Sequence, residues 1–309
     1  MATSSEPVFL CVCLNPVLQK TLVYERIRRG EVNRTSHWRI DAAGKGICAS
    51  RVLTQLGERA LHLTHLGGPT REWFLSLCKE DHLEVAWVDS HSPIRFCTTL
   101  VEESMEQATE LVEESLPVDD GTFARLLDRY REILPQVTTV LLSGTVAQGY
   151  PPAAMATLAR LAAQAGKHLY LDLKRHDLLA CLAYKPVCVK PNLEELAQTL
   201  GIPYDSLSEE SRARALVAEA GSHFYTSYGS WLVVTRGTRP TLYWDGTTLR
   251  EQEVFVHART LNPIGSGDAF GAGLARMLER GKSLQEAVLE GTRLGALNAA
   301  VLKPGSLFA

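Results

Sequence analysis

The stretch Leu261-Asn262-Pro263-Ile264-Gly265-Ser266-Gly267-Asp268-Ala269-Phe270-Gly271-Ala272-Gly273 joins a glycine-rich turn to the start of a helix. Glycine lets backbone N–H groups approach a ligand closely, and a helix N-terminus adds a partial positive charge at the same place. The stretch therefore predicts an anion-binding site. Asp268 falls in the first helical turn, where its carboxylate could cap the helix or could take a proton from a hydroxyl that attacks a bound phosphate. The helix is indicated by apolar residues at helical spacing, namely Phe270, Leu274, Met277 and Leu278.

The composition is that of an ordinary globular protein with no general attraction to polyanions. The chain has 309 residues, of which 45% are hydrophobic and 22% are charged, and a formal net charge of -3. We expect no nucleic-acid partner and no membrane association, so anion binding has to be local. Seven cysteines without a C-x-x-C pair are typical of buried thiols in a reducing compartment, which predicts a cytoplasmic protein. The apolar run from Val8 to Leu14 is short and reads as a first strand, not as a signal peptide.

Strand patterns alternate with helix patterns along most of the chain. This alternation predicts an α/β fold with a mostly parallel central sheet and helices on both faces. Two segments, about 16–40 and 92–114, break the alternation and are predicted to pair into a small accessory sheet. We expect a single domain over residues 1–309.

A second glycine turn, Ala43-Gly44-Lys45-Gly46, also leads into a helix pattern. Its lysine is either an ordinary solvated side chain or part of a second anion site. In an open α/β sheet, ligands bind at the carboxyl ends of the strands. Polar residues recur at these predicted ends, and their convergence favours the anion-site interpretation over simple capping. They are Asn15, Ser143, Asp172, Lys190, Asn192, Thr235 and Asp268.

These residues resemble the motifs of the pfkB-type, or ribokinase-like, carbohydrate kinases. Gly265-Ser266-Gly267-Asp268 is similar to the G-[AS]-G-D signature, and residues 189–196 are similar to V-K-P-N-x-x-E-L. Leu14-Asn15-Pro16, the 43–47 run and Ser143-Gly144-Thr145 resemble the hexose-phosphate branch that contains 1-phosphofructokinase and tagatose-6-phosphate kinase. The resemblance implies a three-layer α/β/α fold in which the accessory sheet is a lid.

The resemblance also implies roles in phosphoryl transfer. Asp268 would be the catalytic base, and Gly265, Ser266 and Gly267 would hold the transferring phosphoryl group. Asn192 and Glu195 would organise Mg²⁺ through water. ATP would be the donor, and its phosphates, ribose and adenine would meet Lys190, Asn192, Thr235, Arg236, Gly237 and Asn298.

The implied acceptor is a phosphorylated ketohexose such as fructose 1-phosphate, fructose 6-phosphate or tagatose 6-phosphate. Lys45 and Arg95 match positions that grip the phosphate already on the sugar, and we expect both at the far end of the sugar from Asp268. The lid would also serve a homodimer contact. The other implied sugar-binding residues are Asn15, Gln19, Gly44, Cys48 and Ser143.

Three positions depart from the family pattern. Gln19 stands where the branch has an aspartate, Cys48 where it has an asparagine, and Pro240 where the nucleotide loop has a glycine. The first two replace sugar contacts, so they bear on the substrate more than on the phosphoryl chemistry. Two alternatives stay open, namely a kinase of an unphosphorylated sugar or nucleoside and a sugar-phosphate-binding protein that has lost catalysis.

Overall fold

The computed structural model describes residues 8–255 and 260–308. The strands are β1 (Val8–Val12), β2 (Val17–Tyr24), β3 (Trp38–Ala43), β4 (Arg59–Leu66), β5 (Glu84–Asp89), β6 (Arg95–Glu102), β7 (Gln107–Val112), β8 (Thr139–Ser143), β9 (His168–Asp172), β10 (Cys188–Val189), β11 (Trp231–Arg236), β12 (Arg239–Trp244) and β13 (Leu249–Gln252). The helices are α1 (Lys45–Gln55), α2 (Arg71–Glu80), α3 (Thr122–Ile133), α4 (Ala154–Gln164), α5 (Arg175–Leu182), α6 (Leu193–Leu200), α7 (Glu210–Tyr228), α8 (Ser266–Glu279) and α9 (Leu284–Ala299).

The main sheet has the strand order β13-β12-β11-β10-β9-β8-β1-β4-β5. Its strands are parallel from β11 to β5, and β12 and β13 are added antiparallel at one edge. All parallel strands therefore end at one edge of the sheet, where side chains from distant parts of the sequence meet. The predicted mostly parallel sheet is confirmed.

Helices cover both faces of the main sheet, which gives the three layers. On one face, α3 to α7 pack against Val12, Val140, Leu171 and other strand residues in a fully apolar layer. On the opposite face, α1, α8 and α9 pack against Cys11, Val233 and their neighbours. The strands are buried on both sides, which explains their continuous apolar runs.

The predicted accessory sheet is confirmed as a second sheet with the order β3-β2-β6-β7. Its strands lie in the two segments that break the α/β alternation, although β3 continues to Ala43. One end is fixed to the body of the protein because Leu18 and Ala42 pack with Phe74 of α2 and Leu66 of β4. This attachment holds the sheet as a lid over the carboxyl ends of the main strands.

None of the helices in the described parts of the chain combines the length and the apolarity needed to cross a membrane.

Candidate active site

The glycine turn 265–267 has the geometry that its sequence predicts. Gly265 has a φ of 85° and is the residue immediately before α8. A Cβ there would lie 2.3 Å from the backbone nitrogen of Gly305, so only glycine fits. The first turn of a helix leaves backbone N–H groups without partners inside the helix. The turn therefore offers donors and a positive helix end to an anion.

Asn298 hydrogen-bonds to this turn. It lines neither of the two cavities described below, although we expected it near the adenine. It is fully buried. Its Nδ2 donates to the carbonyl of Ile264 at 2.9 Å and to Oγ of Ser266 at 3.2 Å, while its Oδ1 accepts from the backbone N–H of Ser306 at 3.1 Å. These bonds fix the turn against the C-terminal segment. The amide is therefore satisfied within the protein, and the expected place of Asn298 near the adenine stays a prediction.

A cluster of opposite charges lies next to the turn, at the ends of β9 and β10. Asp172 Oδ1 accepts from Nζ of Lys45 at 2.9 Å, and its Oδ2 pairs with Nζ of Lys190 at 3.1 Å. Lys45 Nζ also donates to Oε1 of Glu195 at 3.1 Å. Burial alone would raise the pKa of Asp172, but Lys190 and Lys45 outweigh it and hold that pKa below its usual value.

This cluster corrects the expected position of Lys45. We expected Lys45, like Arg95, at the far end of the sugar from Asp268. Instead, it bridges two carboxylates and lies close enough to Asp268 to lower the pKa of that group. The Lys45 side chain turns toward the negative charge of Asp172. Asp172 is 127 positions away in the sequence, so the local motif around Lys45 does not indicate this contact.

Asp268 is buried at the head of α8 and does not cap the helix. Burial raises the pKa of Asp268 to about 7, with Asp172 adding to the rise and Lys45 and Lys190 opposing it. A hydrogen bond from the thiol of Cys48 also lowers the pKa of Asp268. A carboxyl group that titrates near neutrality can accept a proton and release it again, which is what a general base requires.

Asn192 and Glu195 form a capping box at the start of α6. Asn192 Oδ1 accepts from the N–H of Glu195 at 2.8 Å, and Glu195 Oε2 accepts from the N–H of Asn192 at 3.0 Å. Within residues 8–255 and 260–308, no cluster of three His, Cys, Asp or Glu side chains could cage a metal ion. The residues nevertheless fit Mg²⁺, since this ion commonly takes one or two protein carboxylates and completes its shell with water and substrate phosphates.

A cavity of about 460 Å³ lies between the strand ends and the lid, a size common for small-molecule sites. Asp268, Gly44 and Cys48 line its floor, and Arg95 and Gln19 line its lid side. The cavity wall also carries four residues to which the sequence assigned no role in the site, although Asp172 was expected at a strand end and Thr145 belongs to the Ser143-Gly144-Thr145 motif. These are Glu110, Thr145, Asp172 and Lys174.

Arg95 and Asn15 each carry a buried polar atom that has no hydrogen-bond partner among the described residues. Arg95 donates from one terminal nitrogen to the carbonyl of Glu113 at 2.9 Å, whereas its buried Nε has no partner among the described residues. Asn15 donates to Oγ1 of Thr145 at 3.0 Å, and its buried Oδ1 likewise lacks a partner in the described chain. Both residues also line the cavity, where a bound ligand would contact them.

Ser143 does not line this cavity, although we expected it to bind the sugar. Its hydroxyl is buried beside a small void of about 30 Å³ that lies against Asp172, Lys190 and Asp268. The next two residues of its motif, Gly144 and Thr145, reach the cavity instead. Strand β8 ends at Ser143, and the chain turns at Gly144, whose φ is 87°, so the residues after the strand meet the cavity.

A second cavity of about 360 Å³ adjoins the first and has a mainly apolar wall. Thr235, Gly237, Phe255 and Phe270 line it, and Gly267 of the anion turn lines both cavities. An apolar slot beside an anion site suits the base of a nucleotide whose phosphates lie at the junction.

Arg236 is on neither cavity wall, contrary to expectation. Its guanidinium donates to the carbonyl of Pro240 at 2.6 Å and to Oε1 of Glu210 at 2.6 Å. The first bond spans the hairpin between β11 and β12, and the second ties this hairpin to α7. In the structure, Arg236 thus makes contacts within the protein and none with either cavity.

A carboxylate of near-neutral pKa beside an anion turn, where a polar cavity meets an apolar one, suits phosphoryl transfer from a nucleotide to a hydroxyl. The chain belongs to the pfkB family of carbohydrate kinases, which matches residues 14–307. It is therefore a carbohydrate kinase, and membership of a kinase family implies ATP as the phosphoryl donor.

Solved structures with a similar fold include other members of this group. Phosphofructokinase-2 from Escherichia coli in complex with fructose-6-phosphate has a TM-score of 0.81 and 21% identity, with 96% of this chain and 94% of that chain covered. A possible 1-phosphofructokinase from Thermotoga maritima has a TM-score of 0.81 and 20% identity, covering 96% and 93%. A putative ribokinase from Agrobacterium tumefaciens has a TM-score of 0.76 and 16% identity, covering 97% and 94%. At these identities the likeness shows the shared fold.

Proposed function

We propose that this kinase transfers the γ-phosphoryl group of ATP to a hydroxyl of a phosphorylated ketohexose of the fructose 1-phosphate, fructose 6-phosphate or tagatose 6-phosphate type. The observation that carries the proposal is the position of Asp268. It lies in the first turn after the anion-binding glycines, on the wall of the polar cavity, with its pKa raised to about 7 by burial. The motifs of the hexose-phosphate branch support this choice of acceptor.

The reaction needs one base and a site for the transferring group. Asp268 takes the proton of the acceptor hydroxyl as its oxygen bonds to the γ-phosphorus, and the bond from that phosphorus to the bridging oxygen breaks to release ADP. The backbone N–H groups of residues 265–267 hold the equatorial oxygens, where negative charge is spread in the transition state. Lys190, whose Nζ would lie 3.7 Å from a Cβ at Gly267, supplies a positive charge beside this turn.

Mg²⁺ is the metal that we assign to the donor side. Asn192 and Glu195 would hold it through water, and it would supply charge neutralisation to the phosphates of ATP. Thr235 and Gly237 would lie along the nucleotide, with its base in the apolar cavity.

The decisive test is ADP release from ATP over a panel of ketohexose phosphates, free ketohexoses and nucleosides, with and without Mg²⁺. We expect Mg²⁺-dependent turnover with at least one ketohexose phosphate and a higher kcat/KM for it than for any free sugar. Preference for a free sugar or nucleoside would support the unphosphorylated-acceptor alternative. Binding of a sugar phosphate without turnover would support a protein that has lost catalysis.

Arg95→Ala is expected to raise KM for the phosphorylated sugar about tenfold or more. One charge-assisted hydrogen bond contributes about 1.5–3 kcal/mol, and 1.4 kcal/mol corresponds to a factor of about ten. Steady-state kinetics at two salt concentrations would check this, since salt weakens a charge pair in the wild type that the variant lacks. KM for ATP stays constant. Arg131→Ala, on the exposed face of α3, is the matched control, and an unchanged sugar KM in Arg95→Ala would remove Arg95 from the sugar site.

We also propose that two copies of the chain pair through the outer face of the lid. Trp38 and Leu111 are 59% and 54% exposed on that face, next to the partly buried Leu22 and Leu100. Trp38→Asp combined with Leu111→Asp is expected to convert a dimer into a monomer in sedimentation velocity. Leu179→Asp, at an exposed apolar residue of α5, should leave the dimer intact. A monomeric wild type would reject the pairing.

A further inference from the structure

The lid side of the polar cavity carries a carboxylate that no motif marks. Glu110, on the edge strand β7, lines the cavity together with Gln19 and Arg95. The other carboxylates on the cavity wall, within the described chain, are Asp172, Glu195 and Asp268, and they lie with Lys45 and Lys190 at the strand ends. Glu110 is thus the negative group that a bound sugar meets on its lid side.

The strand pairing of the lid places Glu110 beside Gln19 on the cavity side of the sheet. Glu110 is the cross-strand partner of Thr99, and Thr99 is in turn the partner of Thr21 on β2. Gln19, one cavity-facing position away on β2, is buried and donates from Nε2 to Oγ1 of Thr99 at 2.7 Å. The same amide lies near enough to Glu110 to lower the pKa of that carboxyl. Gln19 is therefore turned toward Thr99 and lies beside the carboxylate of Glu110.

The carboxylate of Glu110 is not consumed by an ion pair. No salt bridge to Glu110 occurs in the parts of the chain that the structure describes, although Arg95 is near enough to influence its charge. Partial desolvation raises the pKa of Glu110, while Arg95 and the amide of Gln19 lower it. A carboxylate has about four lone-pair sites, so most of its hydrogen-bonding capacity remains open to the cavity.

We propose that Glu110 accepts hydrogen bonds from hydroxyl groups of the acceptor sugar and is a specificity-determining residue of this kinase. The inference rests on the proposed function. It names the residue that distinguishes substrates by the positions of their hydroxyl groups. A carboxylate binds hydroxyl donors by charge-assisted hydrogen bonds and repels a phosphate. Arg95 and Glu110 therefore divide the lid wall into a part that receives the phosphate and a part that receives hydroxyls. This division gives the sugar one orientation relative to Asp268.

Glu110→Gln in the full-length chain tests the proposal, because it keeps the shape of the side chain and removes its charge. We expect KM for the preferred sugar phosphate to rise about tenfold, the effect of losing one charge-assisted hydrogen bond, with KM for ATP unchanged. Glu114→Gln is the matched control, since Glu114 is an exposed carboxylate on the same lid that does not line the cavity. Equal melting temperatures for the wild type and both variants would show that the lid is intact.

A series of monodeoxy sugar phosphates makes the test specific. The analogue that lacks the contacted hydroxyl should bind the wild type and Glu110→Gln equally, whereas the other analogues should keep the tenfold difference. An unchanged KM in Glu110→Gln, or a lower KM because a repulsive charge is gone, would overturn the proposal.

Sugar-phosphate binding to Asp268→Asn, with and without Glu110→Gln, separates this proposal from the proposed function. Calorimetric titration needs no turnover. A Glu110-dependent affinity without any phosphorylation by the wild type would uphold the hydroxyl contact and reject the kinase assignment of this substrate class. Turnover in the wild type with an affinity independent of Glu110 would reject only the hydroxyl contact.

Discussion

Asp268→Asn is expected to lower kcat by about 10²- to 10⁴-fold, the usual contribution of a positioned general base. Asparagine keeps the size of the side chain but cannot take the proton of the acceptor hydroxyl. KM for ATP should stay within about twofold, because in the proposed binding mode the nucleotide contacts the glycine turn and the apolar cavity. Steady-state and single-turnover assays would separate the chemical step from binding.

The same carboxylate predicts the acidic side of the pH–rate profile. Burial raises the pKa of Asp268 to about 7, so its basic form is lost as the pH falls through neutrality. We expect kcat/KM of the wild type to fall about tenfold per pH unit below about pH 7. Asp177→Asn is the matched control for Asp268→Asn and should leave kcat unchanged. Asp177 lies in the first turn of α5 and lines neither cavity. A near-normal kcat in Asp268→Asn would exclude this residue as the base.

The sequence predicts the fold wherever its apolar pattern is regular. Strands such as β1, β8 and β11 are buried on both faces and read as continuous apolar runs. Helix α7 was not predicted because its 19 residues have little amphipathic contrast and include Gly221, which packs against Trp244. The edge strand β5 was also missed, since only Ala86 among its residues is fully buried. Tertiary packing, not local pattern, decides these elements.

The sequence predicts the geometry of the site only where the relative positions of its residues are set by the local backbone. Gly265 and Asp268 belong to one turn, so their relative position follows from local geometry. The directions of Lys45, Arg236 and Asn298 depend on partners elsewhere in the fold, and the structure places these side chains differently from what we expected. Lys45 reaches Asp172 and Glu195, which are 127 and 150 positions away. Long polar side chains turn toward charged or amide groups that tertiary structure brings close. A linear motif does not show which groups these are.

Asp172→Asn is expected to lower the free energy of unfolding by about 3 kcal/mol at pH 7. Removing one partner of a buried ion pair costs about 3–5 kcal/mol, and the lower end applies because the amide oxygen still accepts one hydrogen bond. The largest part of the loss comes from Lys190, whose buried charge would be left without a carboxylate. Lys190 is 5% exposed, and Asp172 is its carboxylate partner within the described chain. Urea unfolding would measure the loss. Asp128→Asn is the matched control, because its exposed pair with Arg131 is worth only about 0–1 kcal/mol.

The pH dependence of this loss distinguishes charge from packing. Lys190 and Lys45 hold the pKa of Asp172 below its usual value of about 3.9, so its stabilising contribution is present above that pH and disappears as the pH falls through the folded value. The difference in stability between wild type and Asp172→Asn should therefore be full at pH 7 and shrink below about pH 4. The charge of Asp172 also raises the pKa of Asp268, so the variant should move the acidic limb of kcat/KM to below pH 7. A stability difference that persists unchanged into acid, or an acidic limb that moves upward, would mean that Asp172 acts through packing and not through its charge.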